Sequence, residues 1–488
     1  MTAVHHAAVG FVTRHAPFDE RAIGAVQQAE RVIDEHGIDL IRLAFADTHG
    51  VLRGKTVSRV AYEAALVDGY RVPATLIAKD TAHRTVYPVF RGTSGSTPRA
   101  VAQVGDVVLV PDPTTFRMLP WTTRTGWVLC DVHEVDGAPS PYSTRGVLRR
   151  ALATLADHGY DLTAGVELEF YVFRLEDAHL QPEHATQPAA SPTVSLVNHG
   201  YQLMTEQRLD QLDDVVRLLA DTANALDLPL RSVEMEFGPS QLEVTFAPLP
   251  AMQAADAVAL FRSAVKQVCR RQGYHATFMS RPHLPNVFSS GWHLHQSLTS
   301  RVDGSNAFMR APGEGNGALS DLGRSFLGGI LAHAPAAAVF TTPTINGYKR
   351  FQPFSLAPER VCWGEDNRGA LARVIGGPGD PATRIENRAG EPAANPYLYL
   401  ASQVVSGLDG IHRGLDPGPP TSEPYNDLAD RLPRHLLEAL DALAADASFR
   451  AAIGEVFTDH LVATKRSELD RYLGAVSDWE QREYFDLF

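Results

Sequence analysis

The chain has 488 residues, 44% hydrophobic and 21% charged, with a formal net charge of −13 at pH 7. This length exceeds the usual single domain and leads us to expect two domains with a sizeable core. So negative a balance argues against a nucleic-acid partner held by phosphate neutralisation. The three cysteines, Cys130, Cys269 and Cys362, are sparse and lack CxxC spacing. They fit a reducing, cytoplasmic setting rather than a disulfide or zinc framework. The N-terminus lacks the basic start and apolar core of a secretory signal. The most apolar run, 327–340, is too short for a bilayer and contains His333 and Pro335. A membrane partner is therefore not expected.

In chain order, residues 20–37 pattern as an amphipathic helix ended by Gly37. Strand-like runs follow in IDLIRLAFAD, VLRGKTV (51–57), DVVLVPD (106–112) and WVLCDV (127–132), predicting a small sheet-rich domain. The Pro/Gly/Ser segment GAPSPYS (137–143) marks a boundary, giving units 1–137 and 138–488. Ser143 or Thr144 caps the next helix, RGVLRRALATLADHG. Beyond it, strands alternate with long helices. Leu209, Leu212, Val216, Leu219, Ala223 and Leu226 recur at helical spacing. Residues 251–272 form a second such helix and the run from about 321 a third. Residues 176–192 read as a surface excursion, and no repeat of 20 to 50 residues is present.

The chemistry-bearing residues come in short phrases. Glu167 and Glu169 in GVELEF alternate with Val166, Leu168 and Phe170, so a strand places both carboxylates on one face. His293 and His295 repeat that spacing in SGWHLHQSL. Glu236 and Glu243 flank a GPS turn in EFGPSQLE, and Glu386 and Arg388 stand two apart in RIENR, just before a helix start at PAANPYL. Any one phrase alone is ordinary for a half-solvated strand; their conjunction is not. Five glutamates and a histidine suit Mg²⁺ or Mn²⁺ better than zinc. They suffice for two adjacent cations, the arrangement that clamps phosphates during displacement at phosphorus. Arg350, Arg368, Arg373, Arg384 and Arg388 add fork-shaped donors for carboxylate and phosphate oxygens. There is no P-loop and no nucleophile elbow, and GEGNGA (313–318) and GGPG (376–379) read as loops. These residues point to an ATP-using ligase.

With those phrases in order, the chain resembles the glutamine synthetase family over nearly its whole length, most strongly from about 160 to 400. GVELEF, GPSQLE, GWHLHQSL, NGYKR, DNRGALAR and RIENRAGEPAANPYL carry the resemblance, with FTDHLVATKRSELDRY near the C-terminus. It implies an α+β fold: a small β-grasp-like N-terminal domain and a large catalytic domain with a curved, mainly antiparallel sheet and flanking helices. It implies a homododecamer of two stacked hexameric rings, with ATP and two to three Mg²⁺ or Mn²⁺. By motif, Glu169, Glu236 and Glu243 would hold one metal near the amino-acid substrate. Glu167, His293 and Glu386 would hold another at the ATP phosphates. Arg350 and Arg388, with Glu169, would bind glutamate. Arg368, Arg373 and Glu386 would act at the phosphoryl group, and His295, Ser297, Arg373 and Arg384 would meet ATP. The implied reaction passes through γ-glutamyl phosphate, which a nitrogen nucleophile then opens.

Two departures bear on that nucleophile. Where the family pattern after YKR places a Glu that serves ammonium, KRFQPFSLAP has Leu356. The family's Asp-Gly-Ser-Ser phrase has no counterpart in GYRVPATLIAKD, where Pro73 and Ala74 stand. Losing two carboxylates weakens capture of a desolvated ammonium ion. Leu356 and Phe354 instead suggest a pocket for an amine with a carbon substituent. This resembles the γ-glutamyl-amine ligase branch, whose products include γ-glutamylpolyamines, -alkylamides, -ethanolamides and -anilides. A monoamine or arylamine is expected over a polyamine. Glu359, Glu365 and Asp366 are candidate bases by proximity, and Tyr425 is not a convincing modification site. The alternatives are an ammonia-dependent glutamine synthetase and a catalytically silent homologue. All six metal positions being present speaks against the second.

Overall fold

The computed structural model of the chain describes residues 10–90, 97–177, 181–313, 317–426 and 428–488. Residues 178–180 of the surface excursion and 314–316 of GEGNGA lie outside the described residues. Residues 181–191 are exposed, as expected of an excursion.

The helix Glu20–His36 starts at Asp19, whose carboxylate accepts from the Ala22 N–H, and ends at Gly37 in the left-handed conformation. It covers a mixed sheet of strands Leu52–Ser58, Leu40–Ala46, Thr125–His133, Asp106–Pro111 and Tyr70–Pro73, in that spatial order. Leu40–Ala46 runs parallel to Thr125–His133, and the other pairs are antiparallel. Ala29, Ile33, Ile41, Leu43, Leu109 and Val128 form its apolar interior. This is the β-grasp-like unit the motifs implied.

The helix Thr144–Asp157 follows, capped by Ser143, whose hydroxyl accepts from the Gly146 N–H at 3.1 Å. The second sheet runs in the order Trp363–Glu365, Ala372–Ile375, Arg384–Asn387, Trp292–Ser300, Tyr160–Leu175, Gln241–Phe246, Leu230–Met235. Only its first pair is parallel. Alternation from residue 162 to 170 of the strand Tyr160–Leu175 buries Leu162, Ala164, Val166, Leu168 and Phe170. These pack into one core with helices Ala251–Arg271, Asp321–Thr341 and Pro396–Arg413. The opposite face is left to Thr163, Gly165, Glu167 and Glu169.

The helix expected from Leu209 to Leu226 is broken. Leu209 sits in a short helix Glu206–Asp210, and the long helix starts only at Asp213. The stripe itself still faces the core: Leu212, Leu219, Ala223 and Leu226 are buried, joined by Val215, while Leu209 and Val216 are partly buried against it.

One charged side chain links the layers. Arg145, buried on the helix Thr144–Asp157, pairs with Asp112 (2.7 Å), Asp131 (2.9 Å) and Asp256 (2.8 Å). Asp131 belongs to the first sheet and Asp256 to the helix Ala251–Arg271, where the Tyr397 hydroxyl also donates to it at 2.8 Å.

Candidate active site

Strand register assembles the chemistry. Glu243 lies directly opposite Glu169, and His293 opposite Glu167. On the next strand, Glu386 lies opposite His295, with Arg373 across from Glu386. Since alternate residues share a face, these seven groups and Gly165 stand on one side of the sheet. Glu236 enters from the turn just past Leu230–Met235.

Hydrogen bonds sort the tautomers. His293 Nδ1 meets Glu167 at 2.6 Å, so Nδ1 carries the proton and Nε2 is bare, 3.8 Å from Glu169. The Arg384 Nε–H donates to His295 Nδ1 at 3.2 Å, leaving the His295 Nε2–H to donate to Glu167 at 3.2 Å. Burial opposes ionisation of Glu167, but its bonds to both histidines outweigh burial and hold its carboxyl far below the usual range. Burial and Arg388 push His293 down to about 4, which keeps it neutral. Burial also opposes ionisation of Glu386, but His293 and Arg388 outweigh that and lower it. Glu386 is fully buried, accepting from Arg373 at 3.0 Å and from Arg388.

On the other side burial and mutual repulsion outweigh the nearby Arg350 and Arg388. Burial, with Glu236 adding repulsion, pushes Glu169 up to about 8. Burial also raises Glu236, and raises Glu243 further with Glu167 and Glu169 close by. Glu243 makes no hydrogen bond or ion pair with any described residue. A buried carboxylate surrounded by like charges is a place for a cation, so the donor set fits divalent metal. Two sets of ligand atoms lie within 4.8 Å of one another: Glu167, Glu243 and His293, and Glu167, His295 and Glu386. These cut across the two triplets implied by the motifs. Glu167 belongs to both because its strand lies between those of Glu243 and His293.

The arginines frame this cluster. Arg350 is buried and donates to the carbonyls of Arg388 (2.8 Å) and Ala389 (3.3 Å). A side chain at Gly291 would meet the Arg350 guanidinium at 2.7 Å and His293 Nε2 at 3.1 Å, so only glycine lets both groups converge there. Sequence reasoning missed the fully buried Glu391. It accepts from the Thr344 N–H and hydroxyl, each at 2.7 Å, and so fixes the turn that leads to Arg350. Its carboxyl is pushed up to about 7, mainly by burial. A cleft of about 950 Å³ continues along the same face, lined by Arg368, Arg373, Arg384, His295 and Ser297. Its far wall adds Arg231, Ser232 and Thr245, also missed. The period-two spacing of Ser232 and Glu234 was the available signal.

The loop after Arg350 approaches the cluster, because Arg388 reaches the Leu356 carbonyl at 3.5 Å. Phe354 and Leu356 hold positive φ and expose 78% and 54% of their surface. Phe354 leans on Tyr425 (ring centroids 5.1 Å apart), whose hydroxyl donates to the Ala357 carbonyl at 3.1 Å. Of the candidate bases, Glu359 pairs with Arg431 at 3.1 Å and Asp366 with Arg373 at 3.0 Å, while Glu365 is exposed.

An acidic cluster suited to divalent cations beside an arginine-lined cleft fits an ATP-dependent carbon–nitrogen ligase, the class to which the relatives below belong. The glutamine synthetase catalytic domain matches residues 141–484. The chain is 44% identical over 497 residues to the γ-glutamylanilide synthase of an Acinetobacter species, covering 98% of this chain and 99% of that one. It is 33% identical to the glutamine synthetase of Halobacterium salinarum, covering 93% and 95%. The solved structure of GmaS without ligand has a TM-score of 0.77 and 28% identity, covering 93% of this chain and 98% of that one. The chain belongs to the glutamine synthetase family, whose members use ATP and divalent metal ions on small-molecule substrates. Among the described residues, no helix is long and apolar enough to cross a membrane.

Proposed function

We propose that this enzyme joins the γ-carboxyl group of L-glutamate to an organic amine at the expense of ATP. The observation that carries this reading is the loop after Arg350. Leu356 stands where the family pattern has a Glu, its carbonyl 3.5 Å from Arg388, and of the carboxylates that follow it in the chain Glu359 and Asp366 pair with Arg431 and Arg373, while Glu365 is exposed. Such a loop offers little to a small cation and more to a carbon substituent. We assign Leu356 and Phe354 to the amine side.

Arg350 and Arg388 would hold glutamate, and Glu169 would face its amino-acid end. Arg368, Arg373 and Arg384, with His295 and Ser297, would orient the ATP phosphates. The γ-carboxylate oxygen then forms a bond to the γ-phosphorus and ADP leaves. The amine nitrogen next bonds to the acyl carbon, the acyl–oxygen bond breaks and phosphate departs. Arginine forks that neutralise and align the phosphoryl oxygens supply most of what such a transfer needs from protein. Glu167, Glu169, Glu236, Glu243, His293 and Glu386 would hold two to three Mg²⁺ or Mn²⁺, adding positive charge at those oxygens.

The test is phosphate release from ATP and glutamate with ammonium, ethylamine, ethanolamine, isopropylamine, aniline, putrescine and spermine, with products identified by mass. Efficient turnover with an organic amine and little with ammonium is expected. Strong ammonium turnover at low concentration would return the enzyme to ammonia-dependent glutamine synthesis.

A second expectation concerns pH. Glu169, Glu236 and Glu243 have raised pKa values without metal, so the folded chain holds more protons than the unfolded one above the ordinary carboxylate range. The metal-free protein should therefore lose stability as pH rises towards about 8. Cations must displace those protons, so the thermal shift produced by Mg²⁺ or Mn²⁺ should grow over the same window. A shift independent of pH would remove these carboxylates from the ligand set.

The proposal extends to the units 1–137 and 138–488, supported by the gap between the first sheet's last strand, Thr125–His133, and the helix from Thr144. It extends also to a cytoplasmic double-ring dodecamer. The C-terminal helix Asp478–Tyr484, which buries none of its residues, is consistent with assembly.

A further inference from the structure

Three aromatic rings beside the acidic cluster have no part in the roles above. Phe237 directly follows Glu236, and its N–H donates to that carboxylate at 3.1 Å. Phe288 opens the segment whose Gly291 N–H donates to Glu169 at 2.9 Å. Gln241 ties the two together, donating to Ser290 at 2.9 Å and to Glu169 at 3.3 Å. Tyr201 completes the group: its ring and that of Phe237 lie 5.6 and 5.7 Å from Phe288.

The frame is fixed while the rings stay open. The Tyr171 hydroxyl accepts from the Phe288 N–H at 2.9 Å and donates to the Phe288 carbonyl at 2.8 Å. Tyr201, at φ +61°, donates through its N–H to the Phe237 carbonyl and through its hydroxyl to the Asn286 carbonyl, each at 2.8 Å. A non-glycine residue in the left-handed region persists only where its surroundings over-determine it. Yet Tyr201, Phe237 and Phe288 remain 47%, 38% and 43% exposed. Rigid backbone with free aromatic faces is what stacking a planar ring requires.

We infer that Tyr201, Phe237 and Phe288 form the wall that receives the amine's substituent, and that the preferred amine is an aromatic primary amine. This rests on the ligase reading and names its substrate class. The charge pattern agrees. An alkylamine arrives as a cation and must lose a proton to a base before it can attack. The nitrogen of an arylamine shares its lone pair with the ring and arrives uncharged at neutral pH. Its lone pair forms the C–N bond, the acyl–oxygen bond to phosphate breaks, and the departing phosphate takes the proton that nitrogen sheds. A loop with Leu356 in place of an acid suits that nucleophile.

The test compares kcat/KM for aniline and for ethylamine in the full chain and in Phe288→Leu and Phe237→Leu. These variants keep apolar bulk on exposed positions and remove the aromatic face. Wild type should prefer aniline, and each variant should lower the aniline-to-ethylamine ratio by about tenfold, mainly through KM for aniline. Phe288→Tyr should restore it. A ratio unchanged in both variants, or a wild type that prefers ethylamine, would overturn the aromatic wall and leave the ligase reading intact, whereas a wild type that prefers ammonium would overturn both. No γ-glutamyl product with any amine would remove both.

Discussion

Glu386→Ala is expected to reduce glutamate-dependent phosphate release by about 10²–10³-fold, measured at saturating ATP. Glu386 is where the candidate metal ligands and the arginines meet. It is fully buried, takes hydrogen bonds from Arg373 and Arg388, and lies 3.8 Å from His293. Removing it deletes a ligand oxygen and leaves two guanidiniums repelling each other behind a neutral histidine. Arg373 would also lose the partner that would aim it at the phosphoryl group, and Arg388 the one that would aim it at glutamate. Glu386→Gln separates the two effects, because it keeps a hydrogen-bond acceptor for one arginine but no charge for a cation. The glutamine variant should stay folded, need more Mg²⁺ or Mn²⁺ for its residual rate, and show a smaller metal-induced thermal shift. Retained turnover with an unchanged metal requirement would exclude Glu386 from the cation site.

How much of this was legible follows from how each residue reaches the site. Glu167 with Glu169, and His293 with His295, declare themselves through period two, which needs no partner strand to be recognised. The fold class was readable from the resemblance to the glutamine synthetase family, which the motif phrases carry by their order. What could not be read is register. Glu243 opposite Glu169 and Glu386 opposite His295 depend on pairing between distant segments. The grouping of ligand atoms around Glu167 therefore differs from the one the motifs implied. The apolar stripe at 209–226 was legible, with Leu212, Leu219, Ala223 and Leu226 buried, but the helix interruption before Asp213 was not. Glu391 and the ring cluster went unseen because their meaning lies in contacts, to Thr344 and to Tyr171, that no spacing announces.

Arg145 is the sharpest case of that kind, and its replacement carries the largest expected stability effect. In sequence it is one of several arginines at a helix start; in the fold it answers three aspartates from three other segments. Arg145→Met is expected to cost about 3–5 kcal/mol, because removing one partner of a buried ionic group leaves the others uncompensated. Arg149, 2.8 Å from Asp131, tempers the loss there but does not reach Asp112 or Asp256 among the ion pairs formed. The pH dependence identifies the cause. Burial opposes ionisation of Asp131, yet Arg145 and Arg149 hold its carboxyl below the usual range. Its contribution is thus present above the ordinary aspartate range and lost as pH falls through the depressed value. In Arg145→Met the aspartates take up protons more readily, so the deficit relative to wild type should be greatest near neutrality and shrink towards about pH 4–5. Chemical denaturation at two pH values checks this, with Arg145→Met/Asp256→Asn expected to recover part of the loss. A deficit equal at both pH values, and unrelieved in the double variant, would assign the cost to lost packing instead of stranded charge.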